Sequence, residues 1–375
     1  MNPEALDRLH HFLREQDLSA ILLTSPFNVT WLTGYAPPIQ TGPSPFEGGP
    51  AAAWVCGDRV VLIVSDGEAG AAAASEAEVM DYLSYTIDAP IQGFHNQAAA
   101  LAKALAPYAG LAQAVGVEFD TLPAAHVAIL RQALPEAALR PVDGSFDLLR
   151  AVKTPAEIDK IRAALALCDL AQVETRRRIS PGRSEIEVWG EVKAAMEAAA
   201  GARLPVLADF VSGERTAEIG GLPGARLLAP GDAVIADIVP RLAGYWGDNA
   251  GTHFAGGPSA EFKKMYRTVL ESLRRAVDMV KPGLRACDLD QTMRASISAA
   301  GYPVYPHHSG HGLGTSYHEE PRIVPYNPLA LEAGMVVALE PGIYVPGVGG
   351  VRLEDVVLVT PAGCEMLTHH LDREE

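Results

Sequence analysis

The chain has 375 residues, of which 48% are hydrophobic and 20% charged, and its formal net charge is −16. This length predicts about two domains, and the composition excludes a disordered chain. The negative charge argues against nucleic acid or an anionic membrane as a partner, because both need a basic surface. It is compatible with a site that binds cations.

The N-terminal stretch MNPEALDRLHHFLREQ is charged and amphipathic and lacks the apolar core of a signal peptide. No apolar run approaches the roughly 18 residues of a membrane helix. We therefore expect a cytoplasmic protein. The chain has four cysteines, whose wide spacing favours buried thiols over metal ligands or disulfides; they are Cys56, Cys168, Cys287 and Cys364.

Residues 1–147 are predicted to form an α/β domain. A first helix, whose apolar face is formed by Leu6, Leu9, Phe12 and Leu13, precedes the apolar strand LSAILLT. The segment AAAWVCGDRVVLIVS predicts a hairpin that turns at Gly57 and Asp58, and AVGVEFD predicts a later strand. Between the early strands, APPIQTGPSPFEGGP is too rich in Pro and Gly for regular structure, so it is either a solvated connection or a mobile lid.

A second domain, residues 148–375, is predicted to be α+β. Thr154 suits an N-cap, Pro155 the first helical position and Glu157 a capping box, so a helix begins near residue 155. The further predicted elements are two helices, at 184–200 and 259–280, and two groups of strands, at 232–254 and 334–360.

The segment GDAVIADIVPRLAGYWGDNAGTHF predicts an antiparallel hairpin, because an apolar strand breaks at Pro240 and resumes after RLAG. A symmetric register centred between Leu242 and Ala243 places Asp237 opposite Asp248. Opposed residues have Cβ atoms about 5 Å apart, and two like charges there destabilise a sheet. A compensating group is therefore expected.

A second hairpin, GMVVALEPGIYVPGVGGVRLEDVVLVT, is centred on Gly347 and sets Glu340 against Glu354. One such pair alone has an ordinary explanation, an exposed edge or a carboxylate with a raised pKa. Two such hairpins beside a histidine-rich segment favour two divalent cations, whose charge matches the carboxylates if all of them converge. Sequence symmetry alone does not show that the hairpins meet. Oxygen-rich ligation with one imidazole suits Mn²⁺, Co²⁺ or Fe²⁺ and also admits Zn²⁺.

The histidine-rich segment, PHHSGHGLGTSYHEEPR at 306–322, holds four of the eleven histidines. Together with the two aspartates eleven residues apart, its GHGLG and HEEPR motifs and the later EPGIY and GVRLED motifs resemble the dinuclear metallopeptidases of the pita-bread fold. The chain is most similar to the prolidases, or Xaa-Pro dipeptidases, and next to the aminopeptidases P. Their N-terminal domain and linker are also similar to SPFNVTWLTGY and LLRAVKTPAEIDKIR, so the resemblance spans nearly the whole chain.

The resemblance implies an α/β creatinase/prolidase-like N-terminal domain, a pita-bread catalytic domain and a homodimer. It implies two divalent ions, manganese first and cobalt, zinc or iron as alternatives, with Asp248 and Glu354 bridging. The complete set of implied ligands is Asp237, Asp248, His311, Glu340 and Glu354. A water or hydroxide between the ions would be the nucleophile, its pKa lowered toward 7, and Glu340 would also shuttle protons.

The resemblance also implies roles for residues that are not ligands. His318 would stabilise charge at the scissile carbonyl, and His307 would lie on the substrate side. Arg322 matches the prolidase position that holds the C-terminal carboxylate of a dipeptide, a grip that suits a planar guanidinium. Arg352, two residues before Glu354, would orient the metal carboxylates or contact substrate. The alternative for each arginine is a structural salt bridge, and His308 is expected behind the ligands or at the surface.

Two departures from the family pattern stand near the predicted site. Gly220 occupies the position of a histidine that helps bind the substrate and the transition state. After the second aspartate, DNAGT replaces Asp-x-Thr-Arg-Thr, so Ala250 and Gly251 stand where a threonine and an arginine are usual. Losses of residues behind the ligands cost about 10 to 100-fold in metal affinity or activity. All five ligand positions are kept.

The sequence therefore predicts metal-dependent hydrolysis of the imide bond before proline in Xaa-Pro dipeptides. One alternative is an Xaa-Pro aminopeptidase acting on longer peptides, or a related amidohydrolase. Another is a catalytically silent member that only binds peptides. Silent members usually lose metal ligands, which this chain keeps, and creatinase, which has the same fold without metal, is disfavoured for the same reason.

Overall fold

The computed structural model describes residues 2–39, 44 and 46–371. The chain divides into two compact units, Met1–Leu149 and Arg150–Glu375. Part of the Pro/Gly-rich segment predicted as a connection or a lid, residues 40–43 and 45, lies outside the described residues. Across the described part of the chain, every helix is too short or too polar to span a bilayer.

The first unit is built on one six-stranded mixed sheet with the order β4-β3-β2-β1-β5-β6. Its strands are β1 (Ala20–Leu23), β2 (Ala52–Cys56), β3 (Arg59–Ser65), β4 (Glu78–Tyr82), β5 (Ala114–Val117) and β6 (Ala138–Pro141). Its helices are α1 (Pro3–Glu15), α2 (Pro26–Thr33), α3 (Ala69–Ala72), α4 (Gly93–Leu105) and α5 (Ala124–Ala133), followed by α6 (Phe146–Ala151), which crosses the division.

Alternate residues of β1 face two different cores. Ile21 and Leu23 pack with α1 and α2, whereas Ala20 and Leu22 pack with α4 and α5. A strand buried on both faces needs apolar residues at every position, which explains the continuous run in LSAILLT. The predicted hairpin is confirmed, because Cys56 pairs with Arg59 across the turn at Gly57 and Asp58.

The second unit contains four long helices, three of them on predicted ranges. The helices are α7 (Pro155–Arg178), α8 (Glu185–Ala200), α9 (Ala260–Met279) and α10 (Ala286–Ala299). The Thr154 side chain accepts from the Glu157 backbone N–H and the Glu157 side chain accepts from Thr154, so the predicted capping box is confirmed. Ser184 and Glu187 form a second box that starts α8.

The strands of the second unit form two sheets and a ribbon. The first sheet has the order β10-β8-β7 with β9 paired to β8, the second the order β12-β11-β13-β16-β17, and β14 pairs with β15 alone. The first group is β7 (Val206–Ser212), β8 (Ala233–Leu242), β9 (Tyr245–Trp246) and β10 (Asn249–Phe254). The second group is β11 (Gly310–Gly312), β12 (Glu319–Ile323), β13 (Val336–Leu339), β14 (Gly342–Val345), β15 (Gly349–Arg352), β16 (Asp355–Thr360) and β17 (Gly363–Met366).

The first predicted hairpin forms, but its register differs from the symmetric one by one residue at the centre. Asp237 pairs with Ala250, not with Asp248. The turn lies at Ala243 and Gly244, both with positive φ (48° and 86°), the conformation of a type I′ turn. The two aspartates are therefore offset along the ladder instead of directly opposed.

The second predicted hairpin has the expected centre. Leu339 pairs with Asp355 in the β13–β16 ladder, and Gly342 pairs with Arg352 in the β14–β15 ribbon. Glu340 and Glu354 lie at the step between these two ladders, which share one register around Gly347. Gly347 has a φ of 75°, which glycine adopts without strain.

All four cysteines are free thiols, as predicted, but the predicted burial is correct only for Cys168. Cys168 is free and buried, whereas the other three thiols are free and only partly buried. Cys56 ends β2 at a turn, Cys287 is in the first turn of α10, and Cys364 lies on the edge strand β17. Each is at the border of an element, where burial is incomplete.

Candidate metal centre

The five predicted ligands converge in the second unit. Atoms of Asp237, Asp248 and Glu354 lie within 4.8 Å of one another, and so do atoms of His311, Glu340 and Glu354. Glu354 is common to both groups. The two carboxylate hairpins therefore meet, with His311 of β11 beside them.

Burial makes this cluster of like charges unfavourable without cations. Burial, partly offset by Arg352, raises the pKa of Asp237 to about 6. Burial and the charge of Asp237 raise the pKa of Asp248 well above its usual range, and burial with the charge of Asp248 does the same to Glu354. The folded protein therefore disfavours the ionised form of three of these carboxyl groups.

Several carboxylate and imidazole atoms in the cluster remain available to bind a metal ion. Within the described part of the chain, the buried atoms Asp237 Oδ1 and Glu354 Oε1 have no hydrogen-bond partner. His311 Nδ1 lies 3.0 Å from the carbonyl of Gly312, which places the proton on Nδ1 and leaves Nε2 as an acceptor. His311 Nε2 is 3.6 Å from Asp248 and 3.7 Å from Glu340. These residues fit a pair of divalent ions with mainly oxygen ligands.

Glu340 differs from the other carboxylates because histidines surround it. His308 Nδ1 lies 3.0 Å from Glu340 Oε1, and His307 Nδ1 lies 3.9 Å from Oε2. Burial alone would raise its pKa, but the close contact and charge of His308, with the nearby His307 and His311, bring the pKa of Glu340 to about 2. His308 thus contacts a predicted ligand directly, and its partly exposed side chain lines the same cavity as the predicted ligands.

His318 lies at the mouth of the cluster. Its ring centroid is 4.2 Å from that of His311, and its side chain is exposed. Partial burial and the neighbouring histidines lower the pKa of His318 to about 3, so the imidazole is neutral near pH 7. The next residue, Glu319, is fully buried and accepts hydrogen bonds from Lys153 (2.6 Å) and Arg150 (3.1 Å), which anchors the start of β12.

His307 takes part in a chain of hydrogen bonds that connects it through Tyr344 to Arg352. Its Nδ1 lies 2.7 Å from the carbonyl of His308, so Nδ1 donates and Nε2 accepts from the Tyr344 hydroxyl at 2.9 Å. Tyr344 in turn accepts from Arg352 Nη1 at 3.3 Å. Both ring nitrogens of His307 are therefore engaged within the protein, and its ring presents a wall to the cavity.

Arg352 is buried behind the carboxylates. Its Nη2 lies 2.6 Å from Asp237 and 3.2 Å from Asp209, and its Nη1 donates to the carbonyl of Ile219 at 2.9 Å. Thr252 binds both the amide and the carbonyl of Arg352, at 3.0 and 2.9 Å. These salt bridges fit two of the predicted alternatives for Arg352, the orientation of a predicted ligand carboxylate and a structural salt bridge.

Two cavities open on the centre and share the four histidines of the segment 306–322. One, of about 540 Å³, also includes Arg322 and Tyr326. The other, of about 450 Å³, includes all five predicted ligands together with Asp209. The Arg322 side chain is exposed, and among the residues that the structure describes no carboxylate pairs with its guanidinium. A structural salt bridge therefore does not account for Arg322.

Three site residues were not predicted as such: Asp209, Thr252 and Tyr344. Tyr344 belongs to the EPGIY motif, whose alternation places it on the Gly342 face, and Thr252 ends the DNAGT motif. Asp209 lies on β7, a strand that was not predicted, and it pairs with Asp237 across the β7–β8 ladder. The apolar run LPVLADFVS before Gly213 was the available signal for this strand.

Comparison with known proteins places this geometry among peptidases. Residues 159–361 match the model of metallopeptidase family M24, and residues 6–152 match the creatinase/prolidase N-terminal domain. The chain is 32% identical to an Xaa-Pro dipeptidase of Pyrococcus furiosus over 97% of each sequence. It is also similar to the solved prolidase of Pyrococcus horikoshii (28% identity, 99% of each chain, TM-score 0.84) and to an X-Pro aminopeptidase of Thermotoga maritima (25% identity, 100% and 99%, TM-score 0.82).

Proposed function

The chain belongs to metallopeptidase family M24, and from that membership we propose that it hydrolyses the imide bond before proline in Xaa-Pro dipeptides. The relatives named Xaa-Pro dipeptidase and prolidase match it over nearly their whole length, which supports this substrate class. We assign catalysis to residues 148–375 and the role of N-terminal domain to residues 1–147. The observation that carries the proposal is the Arg322 guanidinium at the cavity beside His318, without a carboxylate partner among the described residues.

The cluster of Asp237, Asp248, His311, Glu340 and Glu354 is proposed to hold two divalent ions. Manganese suits a site with four carboxylates and one imidazole, and cobalt, zinc and iron are the alternatives. When bound, the ions would lower the pKa of the attacking water and polarise the scissile carbonyl.

The protein side chains then supply the proton transfers and orientation. Glu340 takes the proton from the attacking water and delivers it to the imide nitrogen of the departing proline. Neutral His318 donates a hydrogen bond to the carbonyl oxygen as negative charge develops there. Arg352 keeps Asp237 oriented, and Tyr344 and His307 hold their positions through the hydrogen bonds described above.

Arg322 limits the substrate to one residue after the cleaved bond. The C-terminal carboxylate of an Xaa-Pro dipeptide can accept two hydrogen bonds from its guanidinium, whereas a tripeptide has an amide at that place. An Xaa-Pro aminopeptidase is the second candidate function, favoured by the similarity to the Thermotoga maritima structure. Preference for Xaa-Pro-Yaa tripeptides over Xaa-Pro dipeptides would support that candidate instead.

Arg322→Ala is expected to raise KM for Xaa-Pro dipeptides by about 10 to 100-fold, the value of hydrogen bonds to a charged group, with little change for tripeptides. Steady-state kinetics on Ala-Pro and Ala-Pro-Ala would measure this. Arg285→Ala removes an exposed arginine paired with Asp288 and serves as the matched control. An unchanged KM for Ala-Pro would remove the main support for a dipeptidase.

Metal removal is expected to abolish hydrolysis, and two equivalents of Mn²⁺ per chain are expected to restore it. We expect this result because the raised pKa values of Asp237, Asp248 and Glu354 indicate negative charge that two divalent ions would compensate. Elemental analysis and titration calorimetry on chelator-treated protein would count the ions. Full activity in protein shown to contain no metal would exclude the mechanism, and tight binding of two ions without any hydrolysis would favour the silent, peptide-binding alternative.

From the resemblance alone, we also propose a homodimer, which sedimentation equilibrium would test. The expected cytoplasmic location stays a prediction.

A further inference from the structure

Asp209 on β7 lines the cavity that contains the predicted ligands. Its carboxylate lies close to Gly220, the position where the family pattern has a histidine. A Cβ atom added to Gly220 would collide with the carboxylate of Asp209. A side chain at position 220 and the present placement of Asp209 therefore exclude each other.

Asp209 is held in a defined orientation. The backbone N–H of Gly221 donates to its Oδ1 at 2.8 Å, and Arg352 Nη2 donates to its Oδ2 at 3.2 Å. Its strand is fixed by the ladder that sets Asp209 opposite Asp237. A carboxylate accepts up to about four hydrogen bonds, so these two donors leave capacity for a ligand.

Asp209 and Arg352 both line the cavity that contains the predicted ligands, but the Asp209 side chain is the more exposed of the two. The Asp209 side chain is 38% exposed and lines the cavity of about 450 Å³. The Arg352 side chain is 3% exposed and lies closer to Asp237. The formal charges of Asp209 and Arg352 cancel, but a substrate in this cavity meets the negative end of the pair.

The two cavities thus present opposite charges on either side of the shared histidines. Arg322 lies in one cavity and Asp209 in the other. A dipeptide is a zwitterion, with a carboxylate at one end and an ammonium group at the other. Bound across the histidines with its carboxylate toward Arg322, it would bring the first residue and its α-ammonium group toward the cavity of Asp209.

We propose that Asp209 is a specificity-determining residue that receives a cationic group of the substrate's first residue. This inference rests on the proposed function. The cation has two possible sources, the α-ammonium group that every free dipeptide carries or the side chain of a first-residue lysine or arginine.

The test compares the wild type with Asp209→Asn, which is nearly isosteric and keeps an acceptor for Gly221. The probes are Ala-Pro, Lys-Pro and Glu-Pro as substrates and propionyl-proline, which lacks the amine, as a competitive inhibitor. If the lysine side chain is the cation, kcat/KM falls about 10-fold for Lys-Pro alone, as expected for one charge-assisted contact. If the α-ammonium group is the cation, kcat/KM falls for all three dipeptides and the Ki of propionyl-proline is unchanged.

Equal changes for all three dipeptides and for propionyl-proline would mean a structural role and would overturn the inference, as would no change at all. Metal content is measured in each protein, because Asp209 shares Arg352 with Asp237. Asp288→Asn, at a partly exposed aspartate paired with Arg285, controls for the loss of one negative charge outside the cavity.

Binding of the same four probes to Glu340→Gln and to the double variant Asp209→Asn/Glu340→Gln separates this inference from the proposed function. Titration calorimetry gives the charge preference without turnover. Preference for Lys-Pro over Glu-Pro that is lost in the double variant supports the side-chain source, even if the wild type hydrolyses no dipeptide. Equal weakening of the three dipeptides without weakening of propionyl-proline supports the α-ammonium source, whereas the absence of both patterns overturns the inference.

Discussion

Glu340→Gln is expected to lower kcat on Xaa-Pro dipeptides by about 10² to 10⁴-fold, the range for loss of a proton-transfer group, while the fold is retained. The amide oxygen of glutamine can still ligate a cation, but the side chain can no longer accept a proton. The structure separates Glu340 from the other carboxylates, because His308 and its neighbours bring its pKa to about 2. Steady-state kinetics with metal-loaded protein would measure the effect.

Glu332→Gln is the matched control, since it makes the same exchange at an exposed glutamate in the loop before β13. Circular dichroism and metal content are compared for both variants. If Glu340→Gln binds two ions and turns over at the wild-type rate, Glu340 is not the proton shuttle. If it loses one ion together with activity, a titration with excess Mn²⁺ separates the ligand role from proton transfer.

The helices that could be predicted from sequence are those that begin with a side-chain cap. Thr154, Ser184 and Ser259 each accept from a backbone N–H at the start of α7, α8 and α9. The helices α4, α5 and α10 have no side-chain cap hydrogen bond, and none of them was predicted. Their formation depends on packing against the sheets, which a local pattern does not record.

The two hairpins show a similar difference in their turns. The second turns around Gly347, a residue whose positive φ could be expected, and its predicted centre is confirmed. The first turns at Ala243 and Gly244, and an alanine with positive φ gives no sequence signal. The predicted direct opposition of Asp237 and Asp248 was therefore wrong. Both aspartates still belong to one cluster, in which atoms of Asp237, Asp248 and Glu354 lie within 4.8 Å of one another.

The arrangement around the ligands was less predictable than the ligands themselves. A motif records which residue types occur along the chain, whereas the partners of Arg352 come from Asp237, Asp209 and Tyr344 on three separate strands. Gly220 could be recognised as a missing histidine. The residue that fills this space, Asp209, could not be recognised from the sequence. It is eleven residues earlier and reaches the space only through the β7–β8 pairing.

Asp248→Asn is expected to have opposite effects on activity and on the stability of the metal-free protein. Turnover should be lost, because Asp248 is proposed to bridge the two ions. Even the replacement of a residue that only supports a metal ligand lowers metal affinity or activity by about 10 to 100-fold. The thermal stability of the metal-free protein at pH 8 should rise, because a buried carboxylate that burial and Asp237 disfavour has become neutral. The expected gain is about 2 to 4 °C in Tm for each kcal/mol relieved.

The sign of the pH dependence follows from the raised pKa. The folded protein holds a proton on Asp248 above the unfolded pKa of about 3.9, so this group's contribution to stability declines as pH rises from there. The penalty is complete above the raised folded pKa. The Tm difference between Asp248→Asn and the wild type, both without metal, should therefore be small near pH 4 and grow toward pH 8.

Added Mn²⁺ should reverse the order, because the wild type gains binding free energy that the variant has lost. Asp290→Asn provides the contrasting control, since Asp290 is a buried carboxylate that binds Arg294 and Ser309. Removing its charge leaves a cation without its partner and should lower Tm at pH 8. The contrary result would be a metal-free Asp248→Asn protein that is less stable than the wild type at pH 8. It would mean that hydrogen bonds to Asp248 outweigh the charge repulsion. The carboxylate charges of the cluster would then not depend on cations for their compensation.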